Sequence, residues 1–261
     1  MTIAREVLFY LSRVSLKLNG VRMSERENLP VHIAVIPDGN RRWANLQGLP
    51  SCSGYAEGVK RFREVADAIF RRGIPYFTFW AASEDNLTRR TQNEINFLVI
   101  LFKEQLRREI SSADEKQTRF RVLGRGKEIV HDPELSELIA ELEEKTRAYN
   151  KHNLTILFGY SGLREMAEGV IKLIYWGESP DELSFGDVKE TLWTADLPPV
   201  DLVIRTGEME QDWAHWSSGF MMWLTANAEL YFPRVFWPEF SILELEKALS
   251  CYDHRQRRFG A

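Results

Sequence analysis

The chain has 261 residues, 44% of them hydrophobic and 28% charged, with a formal net charge of −4. These ordinary globular values suit one large domain or at most two, and the acidic balance argues against nucleic acid, whose binders carry a basic excess. Cys52 and Cys251 are the only cysteines, and there is no CxxC, no signal peptide and no run near the ~20 apolar residues of a membrane span. A reducing, cytoplasmic setting is therefore expected.

In chain order, the first pattern is a helix. Ile3, Val7, Tyr10, Leu11, Val14 and Leu18 gather on one side of a helical wheel, and Arg5, Glu6, Arg13 and Lys17 on the other. This is an amphipathic extension. It packs on its own domain or a partner, or touches a membrane surface through residues 3–18; its basic polar face keeps both readings open. Val31 to Ile36 then has the length of a buried strand. Further strands are expected at 76–81, 118–123, 154–158 and 201–204, with a short one near 230–232. Between them, 54–72 reads as a helix ended by Gly73, and 91–111 as a longer one. A third covers 133–150, with Asp132 as N-cap and Pro133 at its first position; 162–176 and 241–257 complete the set. Residues 177–181 and 195–199 are loops by composition.

Strands alternating with helices predict an α/β fold: a single domain with a mostly parallel central sheet of about six strands flanked by helices, plus the N-terminal amphipathic helix. In such sheets, sites lie at the carboxyl ends of strands. Asp38, Ser83, Tyr160 and Arg205 each fall there.

The stretch after the first strand carries the most chemistry. It stops at Pro37 and opens into Asp38-Gly39-Asn40, followed at once by Arg41, Arg42 and Trp43. Backbone N–H groups, two guanidinium forks and one carboxylate at the start of a helix suit a diphosphate held with Mg2+. The bland reading of the same residues is an Asx-turn beside two solvated arginines.

More stretches bear on that choice: Ser83-Glu84-Asp85-Asn86-Leu87-Thr88-Arg89, Tyr160-Ser161-Gly162, Asp201-Leu202-Val203-Ile204-Arg205-Thr206-Gly207, and the C-terminal set Ser218-Gly219-Phe220, Glu229-Leu230-Tyr231-Phe232 and Trp237-Pro238-Glu239-Phe240. With residues 32–43, and in this order, they resemble the signature of the cis-prenyltransferases, the undecaprenyl diphosphate synthase family, over roughly residues 31 to 260. The resemblance implies a Mg-dependent prenyltransferase that ionises an allylic prenyl diphosphate and condenses it with isopentenyl diphosphate. It implies an extension over 1–30 and a catalytic domain over 31–261. Asp38 would bind Mg2+ and support ionisation, with Glu229 helping the metal site. Gly39, Asn40, Arg41, Arg42, Trp43 and Arg89 would hold the allylic substrate. Ser83 and Asn86 would orient the reacting carbons, and Arg205 and Ser218 would hold the second diphosphate. The tail Arg257-Arg258-Phe259-Gly260 resembles a family ending that reaches into a partner's site, which implies a homodimer.

The departures matter as much. Where the family carries Arg and then Gly-His after its first motif, this chain has Ser51, Gly54 and Tyr55; Tyr55 keeps a hydrogen-bond donor without the charge. The family's Arg two positions before the Ser of its C-terminal signature is Trp216 here, in a longer segment that holds His215 and no Arg. Each lost Arg removes a charge-assisted phosphate contact of ~1.5–3 kcal/mol. A different acceptor (dimethylallyl diphosphate or an alcohol) or an irregular condensation therefore stays open beside ordinary elongation. A non-catalytic partner subunit is the remote third reading, opposed by Asp38, Asn40, Arg42, Arg89, Arg205 and Glu229. The helix over 91–111 offers Ile95, Leu98, Val99, Leu101, Phe102 and Leu106 to an apolar tunnel, and the sequence leaves open which of them line it.

Overall fold

A computed structural model describes residues 28–177, 181–209, 217 and 219–254. The extension over 3–18, His215, Trp216, Ser218 and the tail beyond His254 lie outside the described residues.

Six strands form one sheet: β1 (His32–Ile36), β2 (Tyr76–Ser83), β3 (Thr118–Leu123), β4 (His152–Tyr160), β5 (Leu202–Arg205) and β6 (Glu229–Tyr231). Their order is β3-β4-β2-β1-β5-β6, and every pairing is parallel. All five residues of β1 and all four of β5 are buried, as befits parallel strands covered on both faces. Alternate residues feed two cores. Ile33, Val35, Phe77, Phe79, Phe120 and Ile156 share one with the helices on that face. Ala34, Ile36, Leu157, Tyr160 and Val203 share the other with Phe220, Met221 and Leu224.

Among the described residues the helices are α1 (Asn40–Leu46), α2 (Ser51–Arg71), α3 (Glu84–Arg89), α4 (Gln92–Lys116), α5 (Gly126–Val130), α6 (Pro133–Thr146), α7 (Gly162–Trp176), α8 (Phe185–Glu190) and α9 (Ile242–Asp253), with a 3-10 turn over Trp237–Glu239. Side-chain caps set several starts. Thr91 and Glu94 form a reciprocal capping box on α4, Asp132 accepts from Leu135 N–H with Pro133 at the first position of α6, and Ser161 and Ser241 cap α7 and α9. The helix expected over 91–111 runs on to Lys116, and that expected over 133–150 stops at Thr146. The short helices α5 and α8 lie where no helix was expected; five or six residues are too few for a periodic signal, and such helices rest on packing and caps.

From β1 the chain goes to β2 on one side, and from β5 to β6 on the other. The carboxyl ends of β1 and β5 therefore flank a crevice, the place where open α/β sheets bind ligands.

Candidate active site

Gly39 begins the site. Its φ is 102°, and a side chain there would collide with the Phe236 ring, so only glycine makes this turn into α1 at so close an approach. The turn leaves Asp38 between two guanidinium groups. Asp38 Oδ2 accepts from Arg205 Nη2 at 3.3 Å, and Oδ1 lies 3.4 Å from Arg42 Nη2. Its carbonyl accepts from Thr206 Oγ1 at 2.9 Å and from Trp237 N–H at 3.0 Å. These ties to the loops after β5 and β6 hold the carboxylate at the crevice. Gly207 (φ 91°) lets the β5 loop pass close, since a side chain there would lie 2.7 Å from Arg42 Nη2 and 2.9 Å from Asp38 Cβ. Arg42 also lies over the Phe236 ring, 5.2 Å from its centroid.

Arg205 is 5% exposed. It meets Glu208 at 3.5 Å and donates to Ser217 Oγ as well as to Asp38. One cation thus faces two carboxylates and a hydroxyl.

Across the crevice, Tyr55 of α2 donates to Glu94 Oε1 at 3.3 Å, Arg41 lies 3.9 Å from Glu94, and the Arg90 guanidinium sits over the Tyr55 ring at 5.2 Å. Burial raises the Tyr55 hydroxyl above its usual range, against the neighbouring Arg90 charge, so the group is a neutral donor at pH 7. Burial lowers the Arg90 guanidinium, against the pull of Tyr55. Its Nε is buried without a hydrogen-bond partner, as is Asn40 Oδ1. The Arg90 Nε–H is thus a donor that an anionic ligand in the cavity would satisfy.

These residues rim a cavity of about 470 Å3. Asp38, Gly39, Asn40, Arg41, Arg42, Tyr55, Arg90, Arg205 and Ser217 lie at its polar end, with Ser83 and Asn86 on one side. Val59 and Phe62 of α2, Leu98, Leu101 and Phe102 of α4, and Phe79, Phe120, Ile156 and Phe158 of the sheet line the rest. A charged mouth leading to an apolar interior suits a molecule with an anionic head and a hydrocarbon tail.

Of the expected site residues, nine lie on the cavity: Asp38, Gly39, Asn40, Arg41, Arg42, Tyr55, Ser83, Asn86 and Arg205. Ser83 and Asn86 also cap each other, Ser83 Oγ accepting from Asn86 N–H at 3.1 Å. Trp43 is half-buried on α1 and does not line the cavity. Arg89 points away and pairs with Asp85 at 3.3 Å; the side chain is 79% exposed. Glu229 sits on the edge strand β6, paired in register with Leu202, and is absent from the cavity wall. The sheet register therefore does not bring it to Asp38 within one chain. Tyr160 is buried and donates to Glu165, so its motif serves the fold.

Sequence reasoning passed over Arg90, Glu94, Glu208 and Ser217. Arg90 and Ser217 adjoin residues that were singled out. Arg90 enters because α3 ends at Arg89 and Arg90 is extended (φ −77°, ψ 162°), which redirects its side chain. Of the tunnel candidates, Leu98, Leu101 and Phe102 line the cavity; Ile95, Val99 and Leu106 pack in the core.

The profile of the family described as "Putative undecaprenyl diphosphate synthase" matches residues 36–260. An isoprenyl transferase of Fusobacterium nucleatum subsp. nucleatum is 37% identical over 236 residues, covering 90% of this chain and 97% of that one. A ditrans,polycis-undecaprenyl-diphosphate synthase of Pseudomonas putida is 35% identical over 237 residues, covering 89% and 91%. Among solved structures, lavandulyl diphosphate synthase from Lavandula x intermedia, in complex with dimethylallyl diphosphate, superposes with a TM-score of 0.81 at 27% identity, covering 90% of this chain and all of that one. With a profile spanning most of its length and relatives above 30% identity along nearly all of it, the chain belongs to the undecaprenyl diphosphate synthase family of prenyltransferases.

Proposed function

We propose that the catalytic domain, residues 31–261, ionises an allylic prenyl diphosphate at the Asp38 crevice and condenses it with isopentenyl diphosphate. The observation that carries this reading is one cavity with four arginines and a carboxylate at its mouth and aromatic and aliphatic walls behind them. Arg41, Arg42 and Arg90 hold the diphosphate head, with the Tyr55 ring beneath Arg90, while the tail lies between α2, α4 and the sheet. The allylic C–O bond breaks and its electron pair leaves with the diphosphate. The acceptor's alkene then forms the new C–C bond, and the departed diphosphate accepts the proton that the acceptor loses. The apolar walls keep water from the developing cation.

Among the described residues no group of three or more His, Cys, Asp or Glu is placed to hold a metal ion. A single carboxylate beside a diphosphate nevertheless fits Mg2+, which keeps its waters and takes one or two carboxylates plus substrate phosphates. Asp38 would hold it. When bound there, Mg2+ would supply charge neutralisation for the departing diphosphate.

A second reading changes the acceptor. Arg205, the expected holder of the second diphosphate, already faces Asp38 and Glu208. That leaves it less positive charge to offer any second diphosphate; dimethylallyl diphosphate enters as the alternative acceptor because the lavandulyl diphosphate synthase binds it. The deciding experiment supplies labelled dimethylallyl diphosphate with and without isopentenyl diphosphate and identifies the product by mass. Elongation only when isopentenyl diphosphate is present supports the first reading; equal product without it selects the second.

We also propose a homodimer. Helix α7 exposes Leu163, Val170, Ile171, Ile174 and Tyr175, and Phe185 of α8 is exposed nearby in sequence. A broad apolar face of this kind marks an interface. No helix among the described residues is long and apolar enough to cross a membrane.

A further inference from the structure

The cavity has a floor, and the floor is polar. Three walls agree on its direction. The mouth lies at the carboxyl ends of β1 and β2 and at Tyr55 on α2; the lining runs back from Ser83 to Phe79 on β2, from Tyr55 to Phe62 on α2 and from Leu98 to Gln105 on α4, with Phe120 of β3 beside them. Gln105 is 5% exposed, although every other inner residue is apolar. Its Oε1 accepts from Arg63 Nε at 2.6 Å, and its Nε2 donates to Glu109 Oε1 at 2.7 Å. Lys116 closes the chain on Glu109 at 3.0 Å. Arg63 only donates and Glu109 only accepts, so the amide is locked in one orientation. Behind this network lies a second cavity of about 20 Å3, lined by Arg63, Glu109, Lys116 and Thr118 among others.

Resting on the proposed prenyl diphosphate site, we infer that the Arg63–Gln105–Glu109–Lys116 network stops the hydrocarbon tail and limits it to two or three five-carbon units. Length follows from the lining. Leu98 to Gln105 on α4 and Tyr55 to Phe62 on α2 each span seven residues, roughly 10 Å at 1.5 Å per residue, and Ser83 to Phe79 on β2 spans four, roughly 13 Å at ~3.3 Å per residue. An extended carbon chain advances roughly 1.2 Å per single bond of about 1.5 Å, and each five-carbon unit adds four bonds. A longer tail must break the Gln105 bonds and leave a guanidinium and a carboxylate facing hydrocarbon, which is unfavourable without new partners. An apolar floor of the same size would yield by rotamer changes; this one is pinned from both sides.

The test separates the floor from the acceptor. Affinities of non-hydrolysable allylic thiodiphosphates of two, three and six units are measured by calorimetry for the wild type, Gln105→Ala and Gln105→Leu. In the wild type the three-unit compound binds at least tenfold tighter than the six-unit one. In Gln105→Ala that ratio falls towards one. Gln105→Leu keeps the bulk without the locked bonds and gives an intermediate ratio. Equal wild-type affinity for three and six units overturns the inference. So does an unchanged ratio in both variants when their circular dichroism matches the wild type, because a network that merely ties α2 to α4 moves stability and not the length dependence. Lack of elongation with isopentenyl diphosphate, alongside the expected affinity ladder, overturns only the acceptor reading and leaves the floor standing.

Discussion

Asp38 meets two arginines yet leaves 43% of its side chain exposed, and this separates its part in folding from its part in chemistry. The Asp38–Arg42 pair is exposed and contributes about 0–1 kcal/mol, and the buried Arg205 keeps Glu208 as its partner, so Asp38→Asn should shift the unfolding free energy by about 1 kcal/mol. The same change removes the carboxylate fitted to the cation and should lower turnover at least ~100-fold, the scale of losing one preorganised electrostatic group. Parallel denaturation and steady-state assays check both; wild-type turnover in Asp38→Asn, or in excess chelator, would defeat the assignment. Arg89 and Arg90 offer a sharper contrast between neighbours. Arg90→Ala should weaken binding of an allylic thiodiphosphate by tenfold or more, about 1.4 kcal/mol or above, and Arg90→Lys should recover only part, since an ammonium lacks the fork. Arg89→Ala should cost less, because that side chain faces solvent and Asp85. The reverse order in calorimetry would place the first diphosphate outside the cavity.

At the scale of an element, β1 depends on a histidine kept neutral. His32 is fully buried, with Nδ1 2.9 Å from the Pro198 carbonyl and Nε2 2.8 Å from Thr78 Oγ1. Burial lowers its pKa to about 4, with the Pro198 carbonyl and Asp201 opposing. The folded value lies below the unfolded value of 6.5, so between the two the unfolded chain binds more protons. The contribution is full above pH 6.5 and is lost as pH falls towards 4, roughly 3 kcal/mol in all at 1.36 kcal/mol per pKa unit. Urea midpoints should therefore fall between pH 7 and pH 5, and His32→Gln should show a smaller fall over that interval; an equal fall in both would assign the effect to other groups. The elements themselves were largely legible, because β1 is a run of buried apolar residues and α6 carries Asp132 and Pro133 at its start. Helix α4 ran past its expected end because Leu106, Glu109 and Ala113 stay buried against neighbours that the helix's own sequence does not reveal.

At the scale of the whole molecule, the apolar face of α7 lies outside the core and is the surface proposed for the homodimer. Ile174 is 72% exposed and Tyr175 85%. Light scattering at micromolar concentration should give the mass of two chains, and Ile174→Glu should move it towards one. A dimer unaffected by that change would place the interface elsewhere, and a monomeric, fully active wild type would remove the homodimer altogether.

The sequence by itself determined the alternation of strands and helices, the placing of reactive residues at strand carboxyl ends, and the local cluster from Asp38 to Arg42. Each of these is written in neighbouring residues, where apolar periodicity, a turn-forming Gly39 and adjacent charges need no distant partner. Only the tertiary structure decided the rest. The pairing of Asp38 with Arg205 joins residues 167 positions apart and arises from the β1–β5 register. The choice of Arg90 over Arg89 as the cavity's cation turns on one residue leaving helical geometry. The depth of the cavity depends on Gln105, which reads locally as a polar residue on a helix and becomes a floor because Arg63 of α2 is packed against it. Side-chain direction at a helix end, and the identity of the face across a gap, follow from how elements meet, and no local pattern carries that information.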